Sequence, residues 1–206
     1  MGRAGNNPAA EMSSGRTPVS LRIFVLACIF LLVSGAQLPA RAQTTADEYQ
    51  VKAAFLFHFA QFVDWPAGAL DAKGPTLNLC IFDDEPHRQQ LQSTIEGKVI
   101  GGRVFHVLLI SPPQAIQGCN ILFLSRDESR RQTAILRSLR GLPVLSVGET
   151  ANFLSDGGMI CFHFEGDRIR FDINLGAVDS SHLKISSRLL LLATSVTRGG
   201  RTGQGR

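Results

Sequence analysis

The chain has 206 residues, and its formal net charge is +4. The positive charge is concentrated at the two ends, because residues 1–42 contain four arginines and one glutamate and the segment after Val196 contains three further arginines. Residues 43–196 are left with a net charge of −2, which argues against a phosphate-binding surface, and we expect no nucleic-acid partner.

The first 42 residues have the features of a secretory signal peptide. Two arginines lead into the apolar run Ile23–Val33, and Ala40–Ala42 supplies a small-x-small cleavage pattern. The apolar run is shorter than the about 20 residues that a membrane-spanning helix needs, which disfavours the alternative of an uncleaved membrane anchor. We therefore expect export from the cytoplasm and a mature chain that begins near Gln43.

Cleavage would leave one domain and three cysteines. About 160 residues remain, enough for a single domain with one core. We predict that this domain spans residues 43–196, and that the Gly- and Arg-rich segment 197–206 is disordered because it has no apolar residue to bury. Two of Cys80, Cys119 and Cys161 are expected to form a disulfide in an oxidising compartment, and residue counting does not identify the pair.

The first half of the mature chain alternates between helix and strand patterns. A helix over residues 47–63 would have an apolar stripe on one side, with Leu56 and Phe57 on the opposite side, so we expect it to be covered on two sides and to end before Pro66. The members of this stripe are Val51, Ala54, Phe55, His58, Phe59 and Phe62. The following patterns predict a strand, a helix, two strands and a helix, at residues 77–82, 83–95, 104–110, 120–124 and 127–139. Ser125 is a candidate N-cap for the last of these helices.

The second half predicts a strand, a short helix, a hairpin and a final helix, at residues 142–147, 149–154, 159–173 and 186–196. The strands in the middle of the chain are nearly unbroken apolar runs separated by helices, which is typical of parallel strands buried on both faces. The sequence therefore predicts the α/β class, with a mostly parallel sheet, helices on both faces and a C-terminal antiparallel hairpin.

The predicted hairpin alternates polar and apolar residues around Gly166 and Asp167. Its pairing would place Glu165 opposite Arg168 and His163 opposite Arg170. One face would be apolar and carry Phe162, Phe164, Ile169, Phe171 and Ile173. The other face would carry the residues that we nominate as a partner-binding stripe: His163, Glu165, Arg168, Arg170 and Asp172. The simpler interpretation of this stripe is a solvated side of an amphipathic hairpin, and the functional one is a recognition surface.

A search for catalytic or metal-binding patterns yields no site. The five histidines are not at ligand spacing, there is no CxxC pair, and no Gly-x-Ser-x-Gly motif occurs. Asp83–Glu85 follow a strand, where ligands of open α/β sheets often bind, but we interpret them first as helix-capping acids. We predict no catalytic residue, no metal site and no cofactor.

Several motifs resemble those of the YfiR-like periplasmic proteins. The segment Glu48–Pro66 contains a VKAAFL helix and ends in a Trp-Pro pair, and Gly157–Ile160, Ile169–Leu175 and Leu183–Leu190 follow in the family's order. The resemblance covers about residues 48–195. It implies a regulator rather than an enzyme, located in the periplasm, that represses an inner-membrane diguanylate cyclase through the cyclase's periplasmic sensor domain.

The resemblance also implies further partners and a disulfide. An outer-membrane lipoprotein would sequester the repressor. A homodimer of the protein is a further alternative at this stage. Cys80 and Cys119 match one of the family's two disulfides, whereas the position that would pair with Cys161 falls near Leu154. We therefore expect a Cys80–Cys119 bond and a free Cys161.

Two other hypotheses remain at this stage. One is a periplasmic small-ligand-binding protein that serves another membrane sensor or receptor, because the carboxyl edge of an open sheet is a natural cleft. The other is an enzyme, which is disfavoured because the sequence supplies no assembled nucleophile, base and orienting group.

Overall fold

The computed structural model describes residues 40–70, 74–82, 85–111 and 115–198. The predicted signal peptide lies outside these residues except for its last three positions, and so does the predicted tail from residue 199 onward. Within the described ranges, no helix is both long and apolar enough to cross a membrane.

The helices are α1 (Ala40–Gln61), α2 (Arg88–Ile95), α3 (Gln132–Ser138), α4 (Leu175–Ser180) and α5 (Ser187–Leu190). The strands are β1 (Val63–Asp64), β2 (Thr76–Phe82), β3 (Val99–Ile100), β4 (Arg103–Ile110), β5 (Ile121–Leu124), β6 (Leu145–Gly148), β7 (Ile160–Glu165), β8 (Arg168–Asn174), β9 (Lys184–Ile185) and β10 (Ser195–Thr197). Two 3₁₀ turns, Ala115–Gly118 and Arg126–Arg130, lie before and after β5.

Eight strands form one sheet in the order β10-β8-β7-β6-β5-β2-β4-β3, and β1 pairs with β9 in a separate antiparallel ribbon. The five adjacent strands β7, β6, β5, β2 and β4 run parallel to one another. β8 returns antiparallel to β7, and β10 then lies parallel to β8 at the sheet edge. The predicted α/β class, mostly parallel sheet and C-terminal hairpin are confirmed.

The sheet separates two apolar layers, as expected for a sheet with helices on both faces. Leu56 and Phe59 of α1 pack in one layer with Leu79 of β2. Leu136 of α3 packs in the other layer with Cys80, the next residue of the same strand. Successive residues of the central strands therefore enter opposite layers, which explains why these strands are apolar throughout.

The expectation that α1 is covered on two sides is wrong, because its fully buried residues lie on one face of the helix. Val51 and His58 belong to the predicted apolar stripe, but Val51 is 45% exposed and His58 is exposed. The buried residues of the helix are instead Tyr49, Lys52, Ala53, Leu56, Phe59 and Ala60. Apolar spacing assigns Val51 to the core and Lys52 to the surface. It cannot detect the carboxylates that pair with the lysine and allow its burial.

The predicted short helix at residues 149–154 is wrong, because the segment forms successive hydrogen-bonded turns. These turns place the fully buried Phe153 ring between two glycines. A Cβ atom at Gly148 would come within 2.3 Å of the ring, and one at Gly158 within 2.2 Å. The two glycines therefore leave the space that the ring occupies.

Two other predicted helices are shorter in the structure. The pattern at 127–139 divides into the 3₁₀ turn and α3, and the Ser125 side chain makes no capping hydrogen bond. The pattern at 186–196 forms helix only to Leu190. The chain then turns, the Thr194 N–H donates to the Phe171 carbonyl at 2.9 Å, and β10 pairs with β8 up to Thr197, one residue inside the predicted tail.

Cys80 and Cys119, the pair that the resemblance implies, form a disulfide with their Cα atoms 5.6 Å apart. Cys80 lies in β2, and Cys119 lies two residues before the neighbouring strand β5. Both cysteines are fully buried in the α3-side layer. The bond therefore crosslinks two central strands inside the core.

Candidate functional site

The β7–β8 hairpin carries the predicted charged stripe. The predicted register is confirmed, with Glu165 opposite Arg168 and His163 opposite Arg170. Gly166 turns the chain with a φ of +59°, a conformation that favours glycine. Since side chains alternate across a strand, the five nominated residues lie on one face of the hairpin.

The contacts between acidic and basic side chains of this stripe are diagonal rather than directly cross-strand. Arg170 Nε lies 3.1 Å from Glu165 Oε2, and His163 Nδ1 lies 3.2 Å from Asp172 Oδ2 without a hydrogen bond between them. Diagonal neighbours on an antiparallel pair are within reach of long side chains. Exposed pairs of this kind typically contribute at most about 1 kcal/mol to stability, so the stripe is available for recognition at little cost to the fold.

The opposite face of the hairpin is apolar, as predicted, but it is not buried along its whole length. Phe162, Phe171 and Ile173 are in the core, whereas Phe164 is 45% exposed and Ile169 is half-buried. These two residues lie near the hairpin turn, where the helix on this face does not cover them completely. The apolar face is therefore accessible at this end.

Phe164 and Ile169 instead form one wall of an open groove of about 750 Å³, here called the hairpin groove. Val51 and Phe55 of α1 form the opposite apolar wall. The rim is charged on both sides, with Asp47 and Glu48 at the helix and Arg168 and Arg170 at the hairpin. A concave apolar surface with a charged rim is the composition expected of a protein-binding site.

A second concavity, here called the carboxyl-edge cleft, has a volume of about 420 Å³. It lies beyond the carboxyl ends of the parallel strands β5 and β6 and beside β7, and its polar lining includes Arg126, Glu149, Thr150, His163 and Asp172. This is the position at which open α/β sheets bind ligands. His163 and Asp172 of the charged stripe therefore also face a cleft.

A buried ionic cluster lies between the groove and the cleft. Lys52 is 1% exposed, and its Nζ contacts Glu48 Oε1 and Glu149 Oε2. Glu149 Oε1 also accepts hydrogen bonds from the Tyr49 hydroxyl at 2.8 Å and from the Arg126 backbone N–H at 3.1 Å. The cluster ties α1 to the carboxyl ends of β5 and β6, and so fixes the helix that forms a wall of the groove.

The surroundings of Tyr49 keep its hydroxyl protonated. Burial and the negative charge of Glu149 both raise the pKa of Tyr49 well above its ordinary value, and the ring stacks on His87 with centroids 3.7 Å apart. Burial likewise raises the pKa of Glu85, whose Oε1 accepts a hydrogen bond from the His87 N–H at 3.1 Å. Asp83 and Asp84, predicted as capping acids with it, lie outside the described residues.

Sequence reasoning did not find this cluster. Lys52 and Glu149 are 97 residues apart, and although Lys52 belongs to the VKAAFL motif, no sequence pattern connects it with Glu149. The available signals were a lysine inside an apolar helix and a glutamate directly after a buried strand, and both are common at protein surfaces.

Cys161 lies on the wall of the carboxyl-edge cleft as a free thiol. Burial, with smaller contributions from the Asp172 and Glu149 charges, raises the pKa of Cys161 to about 12. The thiol is therefore protonated at neutral pH and is a poor nucleophile. Among the described residues, no group of three His, Cys, Asp or Glu side chains is arranged to hold a metal ion.

Fold and surface together define an α/β domain, crosslinked by a disulfide, whose hairpin combines an apolar groove with a charged stripe. A comparison with protein families matches the YfiR/HmsC-like family over residues 49–194. The match covers most of the chain, and the protein belongs to the YfiR/HmsC-like family. At the level of the family, this membership supports a periplasmic regulator of diguanylate cyclase signalling.

Proposed function

We propose that this protein is a periplasmic regulatory binding protein that represses an inner-membrane diguanylate cyclase by binding the periplasmic sensor domain of that cyclase. Repression would lower cyclic-di-GMP on the cytoplasmic side, and an outer-membrane lipoprotein would relieve it by sequestering the repressor. The protein would act by contact, without catalysis. Family membership supports the role, and the buried Cys80–Cys119 disulfide supports an oxidising compartment.

The observation that carries this proposal is the hairpin groove next to the charged stripe. Protein interfaces are dominated by a few aromatic and arginine residues near the centre of a patch, surrounded by weaker contacts. Phe164 is half-exposed in the groove, the Arg126 guanidinium lies 5.9 Å from its ring centroid, and Arg168 and Arg170 line the rim. We therefore assign partner contact to the hairpin, with Phe164 as the apolar anchor.

The charges would orient the partner. Asp47 and Glu48 on the helix side and the two arginines on the hairpin side give the groove a negative and a positive rim. A partner segment with an apolar side chain between a basic and an acidic residue would satisfy both rims. Such complementarity contributes mainly to specificity and to the rate of association.

Binding between the mature chain and the isolated sensor domain tests this assignment. We expect Phe164→Ala and Arg170→Glu each to weaken binding by about 10-fold or more, because one removes the anchor and the other reverses a rim charge. Arg137→Glu is the matched control, since Arg137 is an exposed residue of α3 outside the hairpin and its replacement changes the charge equally. Unchanged binding of both hairpin variants would exclude this surface.

The carboxyl-edge cleft favours one alternative, a small-ligand-binding protein that serves another membrane sensor or receptor. The cleft is lined by Arg126, His163 and Asp172 together with Phe164, a combination that suits a small polar molecule with an apolar part. Thermal unfolding of the mature chain in the presence of a metabolite collection tests this alternative. A stabilising compound whose effect is abolished by His163→Ala supports it, and the absence of any stabilising compound rejects it.

A further inference from the structure

The C-terminal part of the domain differs in charge from the rest. Residues 43–179 contain 12 basic and 16 acidic side chains. Residues 180–206 contain five basic side chains and no acidic one. The mature chain therefore has an acidic body and a basic C-terminal segment. The basic residues of that segment are not those of the charged stripe on the hairpin.

The same segment exposes large apolar side chains. Leu189 of α5 is buried in the core, but Leu191 is 86% exposed and Leu192 is 62% exposed. Val196 in β10 is also exposed, at the edge of the sheet. These three apolar residues lie within six consecutive positions.

Cationic side chains accompany these leucines. Leu191 N–H donates to the Ser187 carbonyl, so the chain is still helical there, and Arg188 lies three and four positions before the two leucines, on the same side of the turn. Arg188 and Arg198 are both exposed. We call Arg188, Leu191, Leu192, Val196 and Arg198 the C-terminal patch.

We propose that the C-terminal patch binds the surface of an anionic lipid bilayer. Exposed leucines beside Arg188 and Arg198, in a segment whose own sequence has no acidic residue, match both components of interfacial membrane binding: burial of apolar side chains at the acyl boundary and attraction to anionic headgroups. This inference goes beyond the proposed repression and does not depend on it.

A lipid surface fits the C-terminal patch better than the other possible occupants do. A nucleic acid would neutralise the arginines but would leave the leucines in water. A second copy would bring two segments of five basic residues together, which is unfavourable. A bilayer of anionic lipid accommodates both the charges and the apolar side chains.

Vesicle flotation of the full mature chain tests the proposal. We expect binding to vesicles of mixed phosphatidylcholine and phosphatidylglycerol, much weaker binding to phosphatidylcholine alone, and a decrease at high salt. Replacing Arg188 and Arg198 by glutamine should lower the partition coefficient by about 25-fold, at about 5-fold for each arginine. Replacing Leu191 and Leu192 by serine should lower it by about 10-fold or more.

Two control variants test whether these effects are specific to the C-terminal patch or follow from any loss of charge or of an exposed leucine. Replacing Arg137 and Arg140 by glutamine removes the same charge outside the patch, and Leu109→Ser removes an exposed leucine of β4. Both controls should bind vesicles within about 3-fold of the wild type, because interfacial attraction falls off with distance from the surface.

Three results would overturn the proposal. The first is equal binding, or none, to anionic and neutral vesicles. The second is binding of the leucine variant to vesicles as tightly as the wild type, or binding of the wild type to duplex DNA as tightly as to vesicles. Either outcome would mean that the patch binds polyanions through its charges alone. The third is a dimer in light scattering that the leucine variant dissociates, without vesicle binding by the wild type.

Discussion

Removing the Cys80–Cys119 disulfide should destabilise the domain by a calculable amount. The bond joins residues separated by 39 positions, and the chain-entropy relation for a loop of this size gives about 4 kcal/mol. For a domain of this length, that corresponds to a decrease in the unfolding midpoint of about 8–16 °C. Alanine is the replacement of choice at both positions, because each side chain is fully buried and a hydroxyl or thiol would be left without a partner.

Thermal and urea unfolding of the double variant Cys80→Ala with Cys119→Ala measures this effect, with Cys161→Ala as the control. We expect the wild type to lose stability when a reductant is added, and the double variant to be insensitive to it. Cys161→Ala should retain the response to reductant, since that thiol is free. A double variant within about 1 kcal/mol of the wild type under oxidising conditions, or a mass map with Cys161 in a disulfide, would refute the reasoning.

Three further changes test the interior. Lys52→Met should cost about 3–5 kcal/mol in urea unfolding because it leaves the buried Glu149 charge unpaired, and adding Glu149→Gln should recover part of that loss; a larger loss in the double variant would contradict the pairing. Burial raises the pKa of Glu85, so the folded state binds this proton more tightly and loses the associated stability as pH rises through the raised pKa. Glu85→Gln should therefore stabilise the domain at neutral pH, with a gain that disappears below about pH 4, whereas a pH-independent effect would contradict this origin. Gly158→Ala should lower the unfolding free energy by about 1–3 kcal/mol through its clash with the buried aromatic ring, while Gly118→Ala, which meets no atom within 4 Å, should have little effect.

The sequence predicted the central sheet well because its strands carry a strong local signal. β2, β5 and β6 are short, mostly apolar runs bounded by turns, and parallel strands buried on both faces have few other interpretations. The hairpin was predictable for a related reason: period-two alternation around Gly166 fixes both the turn and the register.

The errors occur where distant residues decide the local structure. The leucines after Ser186 have helical spacing, but the chain leaves the helix because Thr194 bonds to Phe171 and β10 completes the edge of the sheet. Lys52 is buried because a glutamate far along the chain accompanies it. Neither partner is visible to a pattern within one window of sequence.

The charged stripe could be predicted from the sequence, whereas the groove could not. The stripe follows from alternation within two adjacent strands, so its residues could be nominated from sequence. The groove requires Val51 of α1 to lie beside Phe164 of β7, more than 100 positions later. Sequence periodicity placed each residue on an apolar face of its own element but could not show that the two faces meet. The family resemblance supplied a role, and the structure supplied the surface that we assign to it.

Intracellular cyclic-di-GMP in a strain that lacks this gene is the most direct test of the proposed repression. We expect the deletion to raise cyclic-di-GMP, and the wild-type chain and Arg137→Glu to restore the low level. Arg170→Glu should be exported and folded equally well but should fail to restore it, because its contact with the cyclase is weakened. An unchanged level of cyclic-di-GMP in the deletion strain would contradict the account.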